Sequence, residues 1–189
     1  MEGKDKVAIY GGSFDPVHSG HLEIIEYLSQ NYDLVIVVPT TVRYYKKNTC
    51  MFSFNQRYED IKKKVEGKYS NVEVWDIERN VDDNWRYIDT LSFIKDHLDP
   101  CRYDHFTVMG SDSFNEFMTW DSWPQIMTRS DIVVINRPGH PISDEANALK
   151  HIEVDSIHND MSSTELRNKL GKVIEDEEFE DYLIDIGWV

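Results

Sequence analysis

Val7-Ala8-Ile9-Tyr10-Gly11-Gly12-Ser13-Phe14-Asp15-Pro16-Val17-His18-Ser19-Gly20-His21-Leu22 is the stretch whose reading decides the fold. Val7 to Tyr10 is a short continuous apolar run cut off by two glycines, which is how a strand buried on both faces reads. A helical stretch follows from about Gly20 to Gln30, with Leu22, Ile25 and Leu28 spaced to share one face. A buried strand that turns at glycines into an amphipathic helix is the first half of a βαβ unit.

Further along, the alternation continues. Leu34 to Val38 reads as a second buried strand, closed by Pro39, and Asn55 to Glu66 as a charged helix. Val72 to Ile77 alternates like a strand. Trp85 to Leu98 has helical spacing, with Ile88, Leu91, Ile94 and His97 or Leu98 as its inner face. Phe106 to Met109 and Asp131 to Ile135 are strand-like, and His151 to Val154 is a last short candidate. Ser163 to Leu170 and Glu178 to Ile186 read as C-terminal helices. Strands that alternate with helices predict a parallel sheet, and right-handed crossovers make it a doubly wound, Rossmann-like α/β fold. With no repeats, low-complexity tracts or linkers, residues 1–189 read as a single domain.

In such a sheet, ligands bind beyond the C-terminal ends of the strands. The first such end carries the physics of a phosphate site. Gly11 and Gly12 let the backbone approach a ligand closely. The helix that follows points its amides and dipole at the same place. His18 and His21 stand at that helix start and can donate hydrogen bonds to phosphoryl oxygens, stabilising charge that grows on phosphorus. The loop is neither a GxGxxG fingerprint nor a Walker loop, because no Gly-Lys-Ser/Thr follows it. A second anion site is legible near the C-terminus, where Met161-Ser162-Ser163-Thr164-Glu165-Leu166-Arg167 places capping hydroxyls and an arginine at a helix start. An ordinary capped helix with a surface arginine is the competing reading there.

The chain's 189 residues carry 35 acidic and 20 basic side chains, a formal net charge of −15, which repels nucleic acid and anionic lipid. Nucleic-acid and membrane partners are therefore not expected, and an anionic substrate needs a local basic pocket. Arg43, Lys46 and Lys47 cluster after the second strand, and Arg57 follows in the next helix. The acidic stretch Glu175 to Asp181 reads as a solvated helix start. No apolar run approaches a bilayer span and no signal-type segment opens the sequence, so the cytoplasm is expected. The two cysteines, Cys50 and Cys101, fit no disulfide framework or metal spacing.

The segment Gly11-Gly12-Ser13-Phe14-Asp15-Pro16-Val17-His18-Ser19-Gly20-His21-Leu22 resembles the signature of the HxGH nucleotidyltransferases, and within them the nicotinate/nicotinamide mononucleotide adenylyltransferases. Met161 to Arg167 is similar to that family's Ile-Ser-Ser-Thr-x-x-Arg motif. Gly110-Ser111-Asp112, Trp120, Asn136-Arg137-Pro138-Gly139, Ile88-Asp89-Thr90-Leu91 and Tyr182 to Trp188 extend the likeness through the chain. The resemblance implies transfer of AMP from ATP to nicotinate mononucleotide, with nicotinamide mononucleotide as a second acceptor. It implies Mg²⁺ with ATP, held largely by phosphates and water and without a protein metal cage. By the same resemblance, His18, His21 and Arg167 are the catalytic set. Gly11, Gly12, Ser13, Phe14, Gly110, Asp112, Ser162, Ser163, Thr164 and Lys46 bind ATP. Lys47, Trp85, Arg86, Tyr87, Trp120 and Arg137 bind the acceptor.

Two departures stand out. Trp85-Arg86-Tyr87 replaces the Ser-Tyr-Thr usual in the bacterial nicotinate enzymes, and Arg43 to Lys47 replaces a Pro-His-Lys run. A guanidinium at Arg86 can pair bidentately with a nicotinate carboxylate. Two rivals remain: a pantetheine-phosphate adenylyltransferase, whose chains lack the Gly-x-Asp, Trp and Arg-Pro-Gly stretch, and a non-catalytic nucleotide-binding regulator. A tRNA-synthetase reading fails on length and acidic charge. Oligomeric state is left open, with association of identical copies allowed.

Overall fold

A computed structural model of the chain describes residues 3–41, 50–99 and 101–155. Six parallel strands form one sheet in the order β3-β2-β1-β4-β5-β6. They are β1 Asp5–Gly12, β2 Leu34–Pro39, β3 Val72–Val74, β4 Tyr103–Gly110, β5 Asp131–Ile135 and β6 Ile152–Val154. This is the doubly wound order expected, and its direction of winding reverses between β1 and β4. A crevice therefore opens where Gly11 and Gly12 of β1 and Gly110 of β4 leave the sheet.

Alternate residues of β1 serve opposite faces, as the period of a strand requires. Ala8 and Tyr10 pack with Ile25 and Leu28 of α1 (Ser19–Asn31) and Ile61 and Val65 of α2 (Phe54–Val65). Val7 and Ile9 pack with Leu91 and Ile94 of α3 (Tyr87–His97) and Ile126 of α5 (Trp123–Arg129). Two short helices, α4 Ser111–Asn115 and α6 Asp144–Asn147, and a single 3-10 turn at Phe117–Thr119 complete the described part.

Most elements fall within two or three residues of expectation, with informative exceptions. β3 ends at Val74 rather than Ile77, because the chain turns away from β2 after Val74 pairs with Val37. α3 starts at Tyr87 rather than Trp85, since the Asp89 carboxylate accepts the N–H of Arg86 at 2.8 Å and caps the helix there. Its inner face uses Thr90, Leu91 and Ile94, while His97 is exposed and stacks on Phe93 at 3.9 Å. The short helices after β4 and β5 lack the length that makes a helical period visible. The predicted helices Ser163 to Leu170 and Glu178 to Ile186 lie outside the described residues.

Candidate active site at the sheet's switch point

The loop leaving β1 is built on Phe14, which is fully buried in a left-handed conformation, with φ of 47°. Its ring meets Tyr10 edge-on at 5.6 Å and His21 at 4.9 Å. Gly12 gives it room, because a Cβ there would stand 3.1 Å from the Phe14 ring and press on it. An aromatic ladder thus runs from the strand to the histidines.

His18 is the N-cap of α1 and His21 is in its first turn. The backbone N–H of His18 donates to Nδ1 of His21 at 3.2 Å, and the rings stack at 3.6 Å between centroids. With Nδ1 accepting, the neutral ring of His21 carries its proton on Nε2. His18 Nδ1 is buried with no partner among the described residues. Burial, with help from the Arg137 charge, lowers the His18 pKa to about 4. Burial, then the neighbouring His18, then Arg137 hold His21 well below the ordinary histidine value. Both rings are neutral near pH 7.

Across the crevice, Arg137 pairs with Asp112 at 2.8 Å, and its N–H donates to Ser111 Oγ at 3.1 Å. Gly110 makes room for this pair, since a Cβ would lie 2.5 Å from Asp112 Oδ1 and 3.0 Å from Arg137 Cδ. A groove lined by Asn136, Arg137, His140, Asn147 and Asp155 continues past the ends of β5 and β6.

The third wall is the first turn of α3. The Tyr87 hydroxyl donates to Thr107 Oγ1 at 3.0 Å, which anchors its ring beside Gly11 and 5.6 Å from the Trp120 ring. Trp85 donates its indole N–H to Thr90 Oγ1 at 2.8 Å. Arg86 does not point its guanidinium at this wall. It donates to Asp121 and to the carbonyls of Asp83 and Trp85.

A cytidylyltransferase-like family model matches residues 9–169. A probable nicotinate-nucleotide adenylyltransferase of Thermotoga sp. is 31% identical over 184 residues, covering 92% of this chain and 91% of its own. The chain belongs to the cytidylyltransferase-like nicotinate-nucleotide adenylyltransferases. Another such probable enzyme, from Maridesulfovibrio salexigens, is 33% identical over 134 residues; the match covers 70% of this chain and 61% of that protein. The structure of Plasmodium falciparum nicotinic acid mononucleotide adenylyltransferase complexed with NaAD superposes with a TM-score of 0.73 at 22% identity. That superposition covers 96% of this chain and 95% of the other, and it supports the shared fold.

Among the adenylyltransferase positions expected from the sequence, the structure brings Gly11, Gly12, Ser13, Phe14, His18, His21, Gly110, Asp112 and Arg137 to the switch point. Trp85, Arg86, Tyr87 and Trp120 line or brace one side. Arg43, Lys46, Lys47, Ser162, Ser163, Thr164 and Arg167 lie outside the described residues. Arg57, which follows the basic cluster after the second strand, points into the protein. It is 1% exposed, and its guanidinium donates to the carbonyls of Ser13, Thr40 and Phe52. Its spacing from Ile61 and Val65 puts it on the inner face of α2, a signal legible in the sequence. Another buried charge of this loop is Asp15. It is fully buried, and its carboxylate accepts the N–H groups of Met51 and Phe52, both at 2.9 Å.

Proposed function

We propose that this protein transfers the adenylyl group of Mg·ATP to nicotinate mononucleotide, releasing pyrophosphate and forming the dinucleotide precursor of NAD. The observation that carries the reading is the pair of neutral, stacked histidines at the start of α1, at the switch point of a chain in the nicotinate-nucleotide adenylyltransferase family.

The acceptor's 5′-phosphate is already an anion, so the attack on the α-phosphorus needs no general base. One oxygen–phosphorus bond forms, the bond to the β-phosphate's bridging oxygen breaks, and that electron pair leaves with pyrophosphate. What the protein supplies is alignment and charge stabilisation. The Nε2–H of His21 and the ring of His18 donate to the α-phosphate and bridging oxygens, and the first amides of α1 add their dipoles. Gly11 to Phe14 shape the floor, with Asp112 and the groove beyond Arg137 taking the adenosine end. Tyr87 and Trp120 make the pyridine wall, with Trp85 behind it. Lys46 and Lys47, with Ser162, Ser163, Thr164 and Arg167, are assigned to phosphates by family likeness. The described residues hold no cluster of three or more His, Cys, Asp or Glu side chains fit to cage a metal. By the family likeness, Mg²⁺ would come with ATP, held by phosphate oxygens and water, and would supply charge neutralisation there. Residues 1–189 act as one nucleotidyltransferase domain, and its charged substrates place the reaction in the cytoplasm. Among the described residues, no helix is long and apolar enough to cross a membrane.

The test is pyrophosphate release from Mg·ATP with nicotinate mononucleotide, nicotinamide mononucleotide and phosphopantetheine in parallel. Turnover on a pyridine mononucleotide that His18→Ala abolishes is the expected result. Turnover on none, with ATP still bound, would leave a nucleotide sensor.

A further inference from the structure

Glu78 lies in the turn after β3 and is 6% exposed. A carboxylate in that position loses hydration and is retained only where donors replace water. Two donors converge on it. Thr41 gives its backbone N–H to Oε2 at 2.8 Å, and Thr90 gives its hydroxyl to Oε1 at 2.7 Å. The Thr90 oxygen in turn accepts the Trp85 indole N–H at 2.8 Å. At the other end, Thr40 donates its N–H to the Gly12 carbonyl at 2.8 Å, and the Thr40 carbonyl accepts from Arg57 at 3.0 Å. The hydrogen bonds run inward from both sides and meet on the Glu78 carboxylate. They join the glycine loop of β1 to the first turn of α3, through one buried side chain from a third segment.

We infer that Glu78 is a positioning residue for the acceptor end of the site: by holding Thr41 and Thr90 together it sets the gap between the glycine loop and the wall formed by Trp85 and Tyr87. The inference rests on the adenylyl-transfer reading above, in which that wall receives the pyridine. A plain core contact would not need a carboxylate. Both donors are fixed by their own neighbours, so only a group with two acceptor oxygens satisfies both. The wall is held on its far side by the Tyr87–Thr107 hydrogen bond. Glu78 therefore governs the near side, where a fraction of an ångström decides whether a flat ring fits against Tyr87 and Trp120.

The experiment measures KM for each substrate and kcat in the full chain for wild type, Glu78→Gln, Thr90→Val and Thr90→Ser. Thermal midpoints are recorded alongside. Thr90→Val removes the hydroxyl, so that Glu78 Oε1 loses that donor and the Trp85 indole loses its acceptor. KM for nicotinate mononucleotide is expected to rise about tenfold, as for loss of a buried hydrogen bond, while KM for ATP stays within about twofold. Thr90→Ser keeps the hydroxyl and restores wild-type values. Glu78→Gln loses one acceptor and gives a smaller rise. The double variant Glu78→Gln/Thr90→Val is expected to be no worse than Thr90→Val alone, because both act on one link. Equal rises in both KM values, unchanged kinetics in Thr90→Val, or additive effects would overturn the inference. Should Thr90→Val fail to fold, Glu78→Gln against Thr90→Ser decides by the same split. A wild-type protein without turnover on either pyridine mononucleotide would sink the functional reading itself, whereas an active wild type with unsplit variants sinks only the role of Glu78.

Discussion

His21 accepts the backbone N–H of His18 on Nδ1 at 3.2 Å, and the two imidazoles stack 3.6 Å apart. One contact thereby does two things. It closes the first turn of α1, and it leaves the Nε2–H of His21 as the donor turned away from the helix. The arrangement needs the three-residue spacing of the two histidines, because only then does the second ring reach back to the first residue's N–H. His18→Ala should lower kcat roughly 100- to 1000-fold, the usual effect of deleting one preorganised donor, with a smaller change in KM for ATP. Steady-state kinetics at saturating acceptor would show it. An equal loss in kcat and in ATP affinity would mean that His18 mainly binds.

The histidines also set a pH dependence. His18 is lowered from 6.5 to about 4 by burial and Arg137, and His21 is lowered too. A base with a depressed folded pKa favours the neutral native form. Between pH 6.5 and 4 the unfolded chain binds protons that the folded rings refuse, so stability rises with pH across that window and is lost as pH falls through it. Urea midpoints measured from pH 4 to 7 should climb, and less steeply in His18→Gln. Bound triphosphate opposes the lowering, so the His18 ring resonances should titrate at higher pH with ATP than without. A midpoint that is flat over this range would contradict the burial of the pair.

The sheet and the glycine loop with its two histidines were legible because their signals are local. Val7 to Leu22 holds a strand, a glycine turn and a helix start within one short window. What the sequence could not disclose depends on which segments meet in space. Glu78 bonds residues 37 and 12 positions away, and nothing around it marks that it will be buried. Asp15 caps backbone 36 and 37 positions away. Arg57 is legible in principle from its place on the inner face of α2, but charged residues are ordinarily solvated, and that masks the signal.

Arg86 shows the same limit on the acceptor side. Its residue type suits a nicotinate carboxylate, yet the structure gives it to Asp121 and to two carbonyls at the N-terminus of α3. The pair is partly exposed, 29% for Arg86 and 61% for Asp121, so it contributes at most about 1 kcal/mol. Arg86→Ala should therefore lower kcat/KM modestly and by similar factors for nicotinate and nicotinamide mononucleotides. A loss confined to nicotinate would show that the guanidinium leaves Asp121 for the substrate's carboxylate.

Arg57 is the residue whose loss should hurt stability most. Its guanidinium satisfies carbonyls from three segments, and the charges of Asp15 and Glu78 lie near it. Arg57→Met keeps the volume but leaves those carbonyls and carboxylates uncompensated, at a cost of about 3 kcal/mol. Arg57→Lys, which keeps the charge without the fork, should fall between. Urea unfolding measures both. A methionine variant as stable as wild type would mean that its carbonyls find water instead.

Gly110 offers the sharpest steric test of the nucleotide side. Its φ of −74° suits any residue, so substitution there brings no backbone strain. What alanine would add is a Cβ 2.5 Å from Asp112 Oδ1 and 3.0 Å from Arg137 Cδ. The first contact forces the Asp112 carboxylate to move and the second presses on Arg137, so the Asp112–Arg137 pair must shift. Arg137 lowers both histidine pKa values, and its displacement would weaken that effect, leaving burial as the remaining cause. Gly110→Ala is therefore expected to raise KM for ATP roughly tenfold while the fold, read by circular dichroism and thermal midpoint, stays intact. The His18 resonance should at the same time titrate slightly above its wild-type position in the ligand-free protein. A variant that binds ATP normally would show that Asp112 and Arg137 can part without consequence, and that the nucleotide is held elsewhere along the switch point.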